Sequence, residues 1–554
     1  MPETDAIVMN NLFPTPSYVT ARNGYVPWLV GLAGPVQTVA AYSPASGTRK
    51  LFAACGGSIY DATSQGSAGA AVVSGLSSNW WQFVNFGAGG SQYLVMVNGI
   101  DPMLAYNGQG WESVGNGTGG TILAGSAIGT TVTITDVYPH GLATGQTVTV
   151  SGAVPSGYNV SNVPITVVDA YRFSYTVVSF PGGTMTGIGS YTYAPSITGV
   201  STSTFINVNA FMGRLFFIVK NSMQVWFLPL LSVGGAATML DLSTQTLLGG
   251  YLVAMATWTV ETTSGMTQMA CFLTSEGEVL VYQGNDPTYA SSWYQVGNFR
   301  VGRPVGYRCC VKVGSDVCVI TVDGLVPLSK AMLSDRSQRE IALTDKIQNL
   351  INNDAAAYSG YQGWQPILSP LGNKIILNVP APSGAYQYVM NTITGAWCIF
   401  TGWAANCFAL MGDALFMGTQ GMVAQVDTGT SDNGQPIHCS AVQAPSYFNN
   451  HDSKHFTLAR PVMQSNGPIR PAFQINVDYD TTVPVNQFNF VTGGYTPWGS
   501  RWGSPWSSVN RIYKNWFGVG SVGYAGSCAI AFSVAGAAIS WQATDVAFTT
   551  GGPL

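Results

Sequence analysis

The chain has 554 residues and a formal net charge of −4; 46% of its residues are hydrophobic and only 8% are charged. Because ordinary soluble proteins contain about 25% charged residues, this composition predicts a poorly charged surface that an assembly would cover. A monomer coated with Ser, Thr, Asn and Gln is the alternative. The sequence has no Lys/Arg cluster, which disfavours specific nucleic-acid binding. It also has no run of about 18 apolar residues, so we expect no stable membrane insertion.

Residues 1–30 are predicted to form an extended N-terminal arm, since Pro14 and Pro16 exclude a helix. Such an arm either packs along a neighbouring subunit or closes a ring of sheets by pairing with the last one. The first residues, MPETDAIVMNN, contain neither the basic nor the apolar part of a secretion signal, so the sequence predicts none.

A β-hairpin pattern recurs along the chain: two apolar runs flank a turn that is often Asn-Gly, Asp-Gly or Gly-Gly. The turns are centred near residues 56, 98, 221, 276, 323, 383 and 420, and most are about 40–60 residues apart, the length of one propeller blade. We therefore predict an all-β fold with a β-propeller of about seven blades over residues 31–118 and 200–440. The alternative is an irregular stack of hairpins that does not close. The hairpins are Leu51–Tyr60, Tyr93–Tyr106, Leu215–Leu228, Cys271–Tyr282, Val317–Leu328, Lys374–Met390 and Leu415–Val426.

Residues 119–199 explain the one step in this series that is too long. They are nearly free of charge and rich in Thr, Val, Gly and Tyr, and their short alternating segments predict an inserted small β-sandwich or barrel of about five strands. The strands are expected near Thr130–Thr135, Thr147–Val150, Ile165–Val168 and Phe173–Val178.

One helix is predicted, in Leu328–Asn353, which holds seven of the 46 charged residues of the chain. Ser337 and Glu340 have the spacing of a capping box, and Thr344 is a candidate N-cap. The helix either presents its charges to a neighbour or to a channel, or it is a solvated helix that bridges two blades. The candidate interface residues on it are Lys330, Arg336, Arg339 and Lys346.

Residues 441–554 are predicted to form a C-terminal β region, with strands in His455–Asp480 and Ala529–Thr549. Between them, Trp498, Trp502 and Trp506 follow one another at four-residue spacing. They are candidates for an exposed aromatic tip that touches another surface. The alternative is aromatic packing that fixes a Gly-rich loop to the sheet.

No motif predicts catalysis, a cofactor or a metal. A glycosidase needs two facing carboxylates, but the chain has six Glu, and most Asp residues lie in turn sequences. His451 and His455 lack a nearby Glu general base, and the pair Asp478 and Asp480 is typical of solvated strand ends. We therefore predict no enzyme. The alternative is a propeller hydrolase or lyase that uses acids of blade loops such as Asp101 and Asp323.

The nine cysteines are an odd number, and most lie within apolar runs. This pattern predicts free, buried thiols in a protein that folds in a reducing cytoplasm. A strained disulfide between the neighbours Cys309 and Cys310 is the alternative.

Three stretches together resemble the tail nozzle proteins of short-tailed bacteriophages, the tail tubular protein B and packaged-DNA stabilisation type. The first is NNLFPTPSYVTARNGY (Asn10–Tyr25); the second runs from LFAACGGSIYDAT through SSNWWQFVNFG to YLVMVNGIDPMLAYNGQGW. The third is Tyr388–Ile437, and the inserted module is similar to small β modules of many phage tail proteins. The third stretch is recognised by Asn391, Trp397, Gly418, Gly421, Asp427 and Gly429.

This resemblance implies a structural protein of the virion tail that is assembled in the cytoplasm of the bacterial host. Such subunits form a homo-oligomeric, hexameric ring or tube below the head–tail adaptor protein and often carry tail fibre or needle proteins. The tube retains the packaged genome and lets double-stranded DNA pass without specific binding during ejection. A receptor- or glycan-binding tail component remains the alternative function, for which exposed tryptophans in 495–507 would serve.

Overall fold

The computed structural model describes residues 5–551, except 89, 116–119, 121, 138–139, 141, 143, 145, 195, 263–264, 290, 333–341 and 486–510. The N-terminal arm contributes four strands: β1 (Ala6–Asn10), β2 (Leu12–Pro14), β3 (Val19–Ala21) and β4 (Tyr25–Pro35). The first three join the C-terminal region, and β4 joins the propeller, so β4 runs across position 30, where the sequence analysis ends the arm.

Blade 1 is a four-stranded antiparallel sheet of β5 (Thr38–Tyr42), β6 (Lys50–Cys55), β7 (Ser58–Asp61) and β9 (Val73–Ser74), while β8 (Gly66–Ser67) lies beside β4. Blade 2 consists of β10 (Gln82–Ala88), β11 (Ser91–Val97), β12 (Met103–Tyr106) and β13 (Trp111–Val114). In blade 1, Gly56 and Gly57 have φ angles of 55° and 74°. A two-residue hairpin turn requires such positive angles, which glycine adopts easily. The Gly-Gly pair therefore predicted the hairpin correctly.

The inserted domain follows blade 2 as one antiparallel sheet in the order β14-β15-β18-β17-β16-β19. It has six strands where the sequence analysis expected about five. All six contribute to a single core that includes Ile134, Phe173 and Tyr191. The strands are β14 (Ile122–Ile128), β15 (Thr131–Asp136), β16 (Thr147–Ser151), β17 (Val160–Asp169), β18 (Arg172–Thr176) and β19 (Ser190–Ala194).

Blade 3 contains β21 (Phe205–Phe211), β22 (Arg214–Val219), β23 (Gln224–Phe227) and β25 (Thr238–Asp241), and a short parallel pair, β20 (Ile197–Thr198) and β24 (Gly235–Ala236), lies beside it. Blade 4 contains β26 (Leu252–Thr262), β27 (Gly265–Thr274), β28 (Glu278–Gly284) and β29 (Trp293–Arg300). Blade 5 has three strands: β30 (Cys310–Val313), β31 (Asp316–Thr321) and β32 (Gly324–Pro327).

In the part of blade 5 that the structure describes, a helical segment follows β32 where the other blades have a fourth strand. The short helix α1 (Leu328–Ala331) follows β32, and after a 3-10 turn the helix α2 covers Gln348–Tyr358. Leu343 N–H donates to the Leu325 carbonyl, and Leu325 N–H donates to Thr344 Oγ1 at 3.1 Å. Thr344 occupies the N-cap position of the 3-10 turn that leads into α2, as predicted, but its hydroxyl makes no capping hydrogen bond and instead accepts from the edge of β32. Ser337 and Glu340 lie outside the described residues.

Blade 6 contains β33 (Gln365–Ser369), β34 (Lys374–Val379), β35 (Tyr386–Asn391) and β36 (Trp397–Phe400). Blade 7 contains β37 (Cys407–Met411), β38 (Ala414–Val426), β4 and β8. The hairpin predicted within Leu415–Val426 is wrong. Gly421 has a φ of 69° but lies in a β-bulge, since β4 pairs with the second half of β38 and keeps it extended.

The seven blades form a closed ring. Neighbouring blades contact one another all the way round: β5 contacts β11, β10 contacts β21, β21 contacts β26, β26 contacts β30 and β31, β30 contacts β33, β33 contacts β37, and β37 contacts β5 again. Hydrophobic clusters fill every junction between neighbouring blades. Because both faces of a blade are covered, middle strands are apolar at successive positions; every residue of Leu51–Cys55 is buried. The predicted propeller of about seven blades is confirmed.

The C-terminal region is a sandwich of two sheets that enclose one core. The first sheet extends blade 6 through β36-β1-β39-β44-β41, and the second has the order β2-β3-β45-β40-β42 with β43 beside β40. The arm strands β1, β2 and β3 therefore complete both layers. The remaining strands are β39 (Ile437–Gln443), β40 (Lys454–Ser465), β41 (Ala472–Val477), β42 (Arg511–Tyr513), β43 (Phe517–Gly523), β44 (Gly526–Val534) and β45 (Ile539–Thr550).

Candidate functional site

Asp101, a candidate catalytic acid, organises a loop of blade 2. Its carboxylate accepts hydrogen bonds from the backbone N–H groups of Ser77 and Ser78 at 3.0–3.1 Å and from Asn98 Nδ2 at 2.7 Å. The side chain is 7% exposed. These donors satisfy both carboxylate oxygens, so the residue has a sufficient structural reason to be acidic.

The other acids of the blade turns have comparable roles. Buried Glu278 accepts from the N–H groups of Leu247 and Leu248 and from Asn298 Nδ2, and so ties blade 4 to the segment that precedes it. Glu276 pairs with Arg303 at 2.8 Å on the surface. The backbone N–H of Asp323, the second candidate acid, donates to Thr321 Oγ1 inside the turn of blade 5.

A cleft of about 760 Å³ separates blades 1 and 2 from the inserted domain and is lined by Asp61, Glu112 and Asp169. Burial by itself would raise the pKa of Asp61, but hydrogen bonds from Thr63 and Lys50 outweigh it and lower that pKa. Burial raises the pKa of Glu112, whose Oε1 accepts from Asn107 at 2.6 Å. Each of these acids is thus engaged by a neighbour in its own domain, as Asp169 is by Arg172 at 2.6 Å.

The possible metal ligands are scattered. Among the described residues, no three His, Cys, Asp or Glu side chains come together. His455 lies in β40 and His451 precedes it, with its ring against Tyr447. Asp478 is exposed, and its carboxylate accepts hydrogen bonds from the N–H groups of Tyr524 and Ala525. It therefore has a structural role in the sandwich.

All nine cysteines are free thiols, and all but the partly buried Cys310 are buried. The sulfurs of Cys309 and Cys310 are 3.8 Å apart. Burial raises the pKa of Cys318, Cys439 and Cys528 to about 12. The eight buried thiols are therefore core residues, and their burial disfavours the thiolate form.

Of the predicted interface residues, the structure describes two. Lys330 is exposed on α1, whereas Lys346 pairs with Asp5 of the arm at 3.0 Å and is thus a contact within the chain. Arg336, Arg339, Trp498, Trp502 and Trp506 lie outside the described residues. None of the helices in the described ranges is long and apolar enough to cross a membrane.

A buried ion pair joins the arm, the propeller and the C-terminal sandwich. The guanidinium of Arg22 is fully buried and binds both carboxylate oxygens of Asp432, at 2.8 and 2.5 Å. Its other N–H groups donate to Asn11 Oδ1 and to the carbonyls of Asn23 and Thr401. Every donor of the side chain is thus used where three parts of the molecule meet.

A second ion pair supports the same junction. Lys374 Nζ in β34 lies 2.7 Å from both carboxylate oxygens of Asp427, which follows β38, and 5.0 Å from the ring centroid of Phe13 in the arm. Sequence analysis missed these pairs, whose partners are far apart in the chain. Arg22 and Asp427 do lie within the stretches that resemble nozzle proteins, which is the one signal that could have marked them.

The inserted domain exposes apolar side chains and almost no charge. Residues 119–199 contain three charged side chains. Asp136 is buried and accepts from Tyr191, while Asp169 and Arg172 pair with each other. Meanwhile nine large apolar residues are exposed: Leu123, Ile128, Val137, Val154, Val168, Tyr171, Val178, Phe180 and Ile188.

A second apolar surface follows the outer parts of blades 3 and 4. It includes Met239 of β25 and Tyr294 and Val296 of β29, the outermost strands of their sheets. The segment that joins the two blades adds Leu247, which is 88% exposed, and Leu248. Strands at sheet edges present unpaired backbone groups, so this surface offers both apolar and hydrogen-bonding contacts.

A pocket of about 310 Å³, which we call the axial pocket, lies on the inner side of the ring of blades. Its wall contains Trp80, Lys220, Tyr307, Arg308 and Tyr361. The pocket lies where the inner strands of blades 2, 3, 5 and 6 begin, since most of its lining residues precede or open those strands.

Comparisons with known proteins add little to this picture. No protein-family model matches the chain, and no curated protein does. Among solved structures, BBS1N in complex with ARL6DN is 9% identical with a TM-score of 0.35, covering 73% of this chain and 96% of that one. The SapL1 lectin in complex with alpha methyl fucoside is 11% identical with a TM-score of 0.20, covering 67% of this chain and 96% of the lectin. At such values the likenesses carry no conclusion about function.

Proposed function

We propose that the protein is a structural component of a bacteriophage tail, a nozzle subunit that assembles with copies of itself into a ring or tube. In this role it sits below the head–tail adaptor, carries fibre or needle proteins, retains the genome and conducts it during ejection. It acts in the virion without catalysis.

The observation that carries the proposal is the surface of the inserted domain. Nine large apolar side chains are exposed there, and its two surface charges neutralise each other. Exposed apolar surface of this kind marks a contact with another protein. The second apolar surface lies on a different part of the propeller, on blades 3 and 4. Two distinct apolar surfaces on one subunit suit a head-to-tail contact between subunits, which can close into an oligomeric ring.

The internal architecture supports the same role. The arm completes the C-terminal sandwich with β1–β3 and closes the propeller with β4, so the two bodies share one chain segment and two buried ion pairs. A tube under the pressure of packaged DNA needs subunits that do not open between domains. The net charge of −4 and the absence of a basic cluster suit DNA that passes without being held.

The proposal is tested on the purified full chain by mass photometry and by negative-stain images viewed down the particle axis. We expect a concentration-dependent assembly that appears as a six-lobed annulus. A chain that remains monomeric over a wide concentration range, together with virions that lack it, would overturn the proposal.

A pair of variants locates the contact. Ile128→Asp combined with Val178→Asp places two charges on the apolar surface of the inserted domain, where both side chains are almost fully exposed. We expect assembly to weaken by about tenfold or more, because a buried unpaired charge is costly, while the monomer stays folded. Ile393→Asp on blade 6 is the matched control, 66% exposed and outside both apolar surfaces.

A further inference from the structure

The axial pocket carries positive charge that no acid of its wall compensates. Its 16 lining residues include Lys220 and Arg308 and not one Asp or Glu. Asp101, which lies close by in the chain, turns its carboxylate to the N–H groups of Ser77 and Ser78. In a chain with net charge −4, this local excess of cations favours an anionic ligand.

Arg308 is held in place by neutral groups only. It precedes blade 5, yet it donates to the Gln37 carbonyl at 3.2 Å, to Thr38 Oγ1 at 2.6 Å and to the Trp81 carbonyl at 2.9 Å. These acceptors open blades 1 and 2, so the side chain spans the channel. Its guanidinium also lies 5.3 Å from the ring centroid of Trp80. Unlike the charge of Arg22, that of Arg308 is thus not neutralised by an acid.

The rest of the wall suits a ring with hydroxyl groups. Trp80 is partly buried with Arg308 over one face of its ring, and Tyr307 and Tyr361 are 41% and 50% exposed, so the wall offers aromatic surface to a ligand. Aromatic faces pack against the C–H faces of sugars, and the amides of Gln82 and Gln362 in the same wall can exchange hydrogen bonds with hydroxyls. About 310 Å³ lies at the small end of ligand pockets, which favours a single sugar unit over a peptide.

The wall is also preformed. Gly306 has a φ of 72°, and a Cβ there would lie 3.2 Å from Trp364 Cβ, so the backbone approaches the indole closely. Trp364 Nε1 donates to the Tyr358 carbonyl at 2.9 Å, and the Tyr361 ring meets the Tyr358 ring edge-on. A ligand would therefore meet a fixed surface and would lose little affinity to ordering it.

We propose that the axial pocket binds an acidic monosaccharide, a sugar ring with a carboxylate such as a hexuronic acid. The carboxylate meets Arg308 and Lys220, and the ring packs on Trp80 and the two tyrosines. This binding is a property of one subunit and is independent of the assembly proposed above, so either can fail without the other.

The test uses the full chain and measures binding of glucuronate, glucose and inorganic phosphate by saturation-transfer and chemical-shift NMR. Glucuronate is expected to bind, glucose to bind about tenfold more weakly, and phosphate not to displace glucuronate at equal concentration. Displacement by phosphate would reveal a simple anion site and would overturn the proposal, as would equal binding of glucose.

Two variants keep the test independent of folding. Lys220→Gln and Tyr361→Ala alter exposed side chains and are expected to weaken glucuronate binding about tenfold. Tyr289→Ala, 64% exposed and outside the pocket, is the matched control and should bind like the parent chain. If Lys220→Gln binds glucuronate with unchanged affinity, the carboxylate is not recognised in this pocket.

Discussion

Two regions of the molecule use charge in opposite ways. One is the junction between the propeller and the C-terminal sandwich, and the other is the surface of the inserted domain. The junction buries two ion pairs, Arg22 with Asp432 and Lys374 with Asp427. The inserted domain keeps apolar side chains outside and leaves almost no charge on its surface.

The two regions therefore differ in what they can contribute: the ion pairs give the junction specificity, and the apolar side chains favour burial of the inserted domain's surface. A buried pair must be matched in position, because a charge without its partner is strongly unfavourable, so the pairs fix how the arm, blade 6 and the sandwich meet. An apolar surface does not require a partner group at a fixed position. Its burial against any complementary surface is favourable. The junction thus specifies one internal arrangement, whereas the surface of the inserted domain suits the contact between subunits that we propose.

The largest effect is expected for Arg22→Met. It leaves the Asp432 carboxylate buried without its donors from Arg22, while Asn11 Oδ1 keeps only the N–H of Thr401, and the free energy of unfolding should fall by about 3–5 kcal/mol. Equilibrium denaturation measures the change. The double variant Arg22→Met/Asp432→Leu is the control, and it should lose less than the single variant because no charge is left unpaired. Equal losses would show that the pair is not coupled.

A smaller loss, about 2–3 kcal/mol, is expected for Lys374→Met, because Asp427 keeps a hydrogen bond from Asn23 Nδ2 at 3.2 Å. Denaturation curves of this variant are compared with those of Lys346→Met, which removes the more exposed pair with Asp5. Surface pairs contribute about 0–1 kcal/mol, so the control should stay close to the parent. If the two variants behave alike, burial does not set the strength of the junction.

Within the inserted domain, Tyr191→Phe is expected to cost about 1–2 kcal/mol by removing a donor to buried Asp136. The loss is moderate because Val137 N–H still donates to the other carboxylate oxygen at 2.7 Å. Hydrogen exchange should show faster opening of the inserted domain only. Tyr171→Phe, which alters an exposed ring of the same domain, should leave exchange unchanged. Faster exchange in the propeller as well would mean that the two bodies unfold together.

The smallest effect is expected for Arg172→Ala. The hydrogen bond from Arg172 is the main cause that lowers the pKa of Asp169. Any stabilisation from this pair is therefore present above the ordinary Asp pKa of about 3.9 and is lost as the pH falls through the lower, folded pKa. In the variant, NMR titration should find the Asp169 pKa closer to its ordinary value, with no measurable change in Tm at neutral pH. An unchanged pKa would exclude the ion pair in solution.

The blades could be predicted from the sequence because their signal is local. A turn such as Gly56-Gly57 must adopt positive φ angles, and the apolar runs on either side must be buried, so both facts are visible within a dozen residues. The same local logic failed at Gly421, where pairing with β4, nearly 400 residues earlier in the chain, converts a turn signal into a bulge.

The junction and the axial pocket could not be predicted for the same reason. Arg22 and Asp432 are 410 positions apart, and Arg308 reaches Thr38 across 270 positions. The periodicity of the sequence carries no information about such long-range contacts, because they form only when the ring of blades has closed. Helical segments lie within the predicted stretch, but α2 begins only at Gln348, after the charged residues that marked the prediction, and the Thr344 hydroxyl accepts from Leu325 N–H at the edge of β32.

Because the arm pairs with strands that are synthesised late, it can fold only near the end of synthesis. The ring cannot close until β38 is available to β4, and the sandwich cannot form until β39 emerges to pair with β1 and β45 emerges to pair with β3. Residues 1–35 are synthesised before their partner strands and must wait for almost all of the propeller and the sandwich to follow. We expect them to be the last to lose their sensitivity to proteases as nascent chains mature.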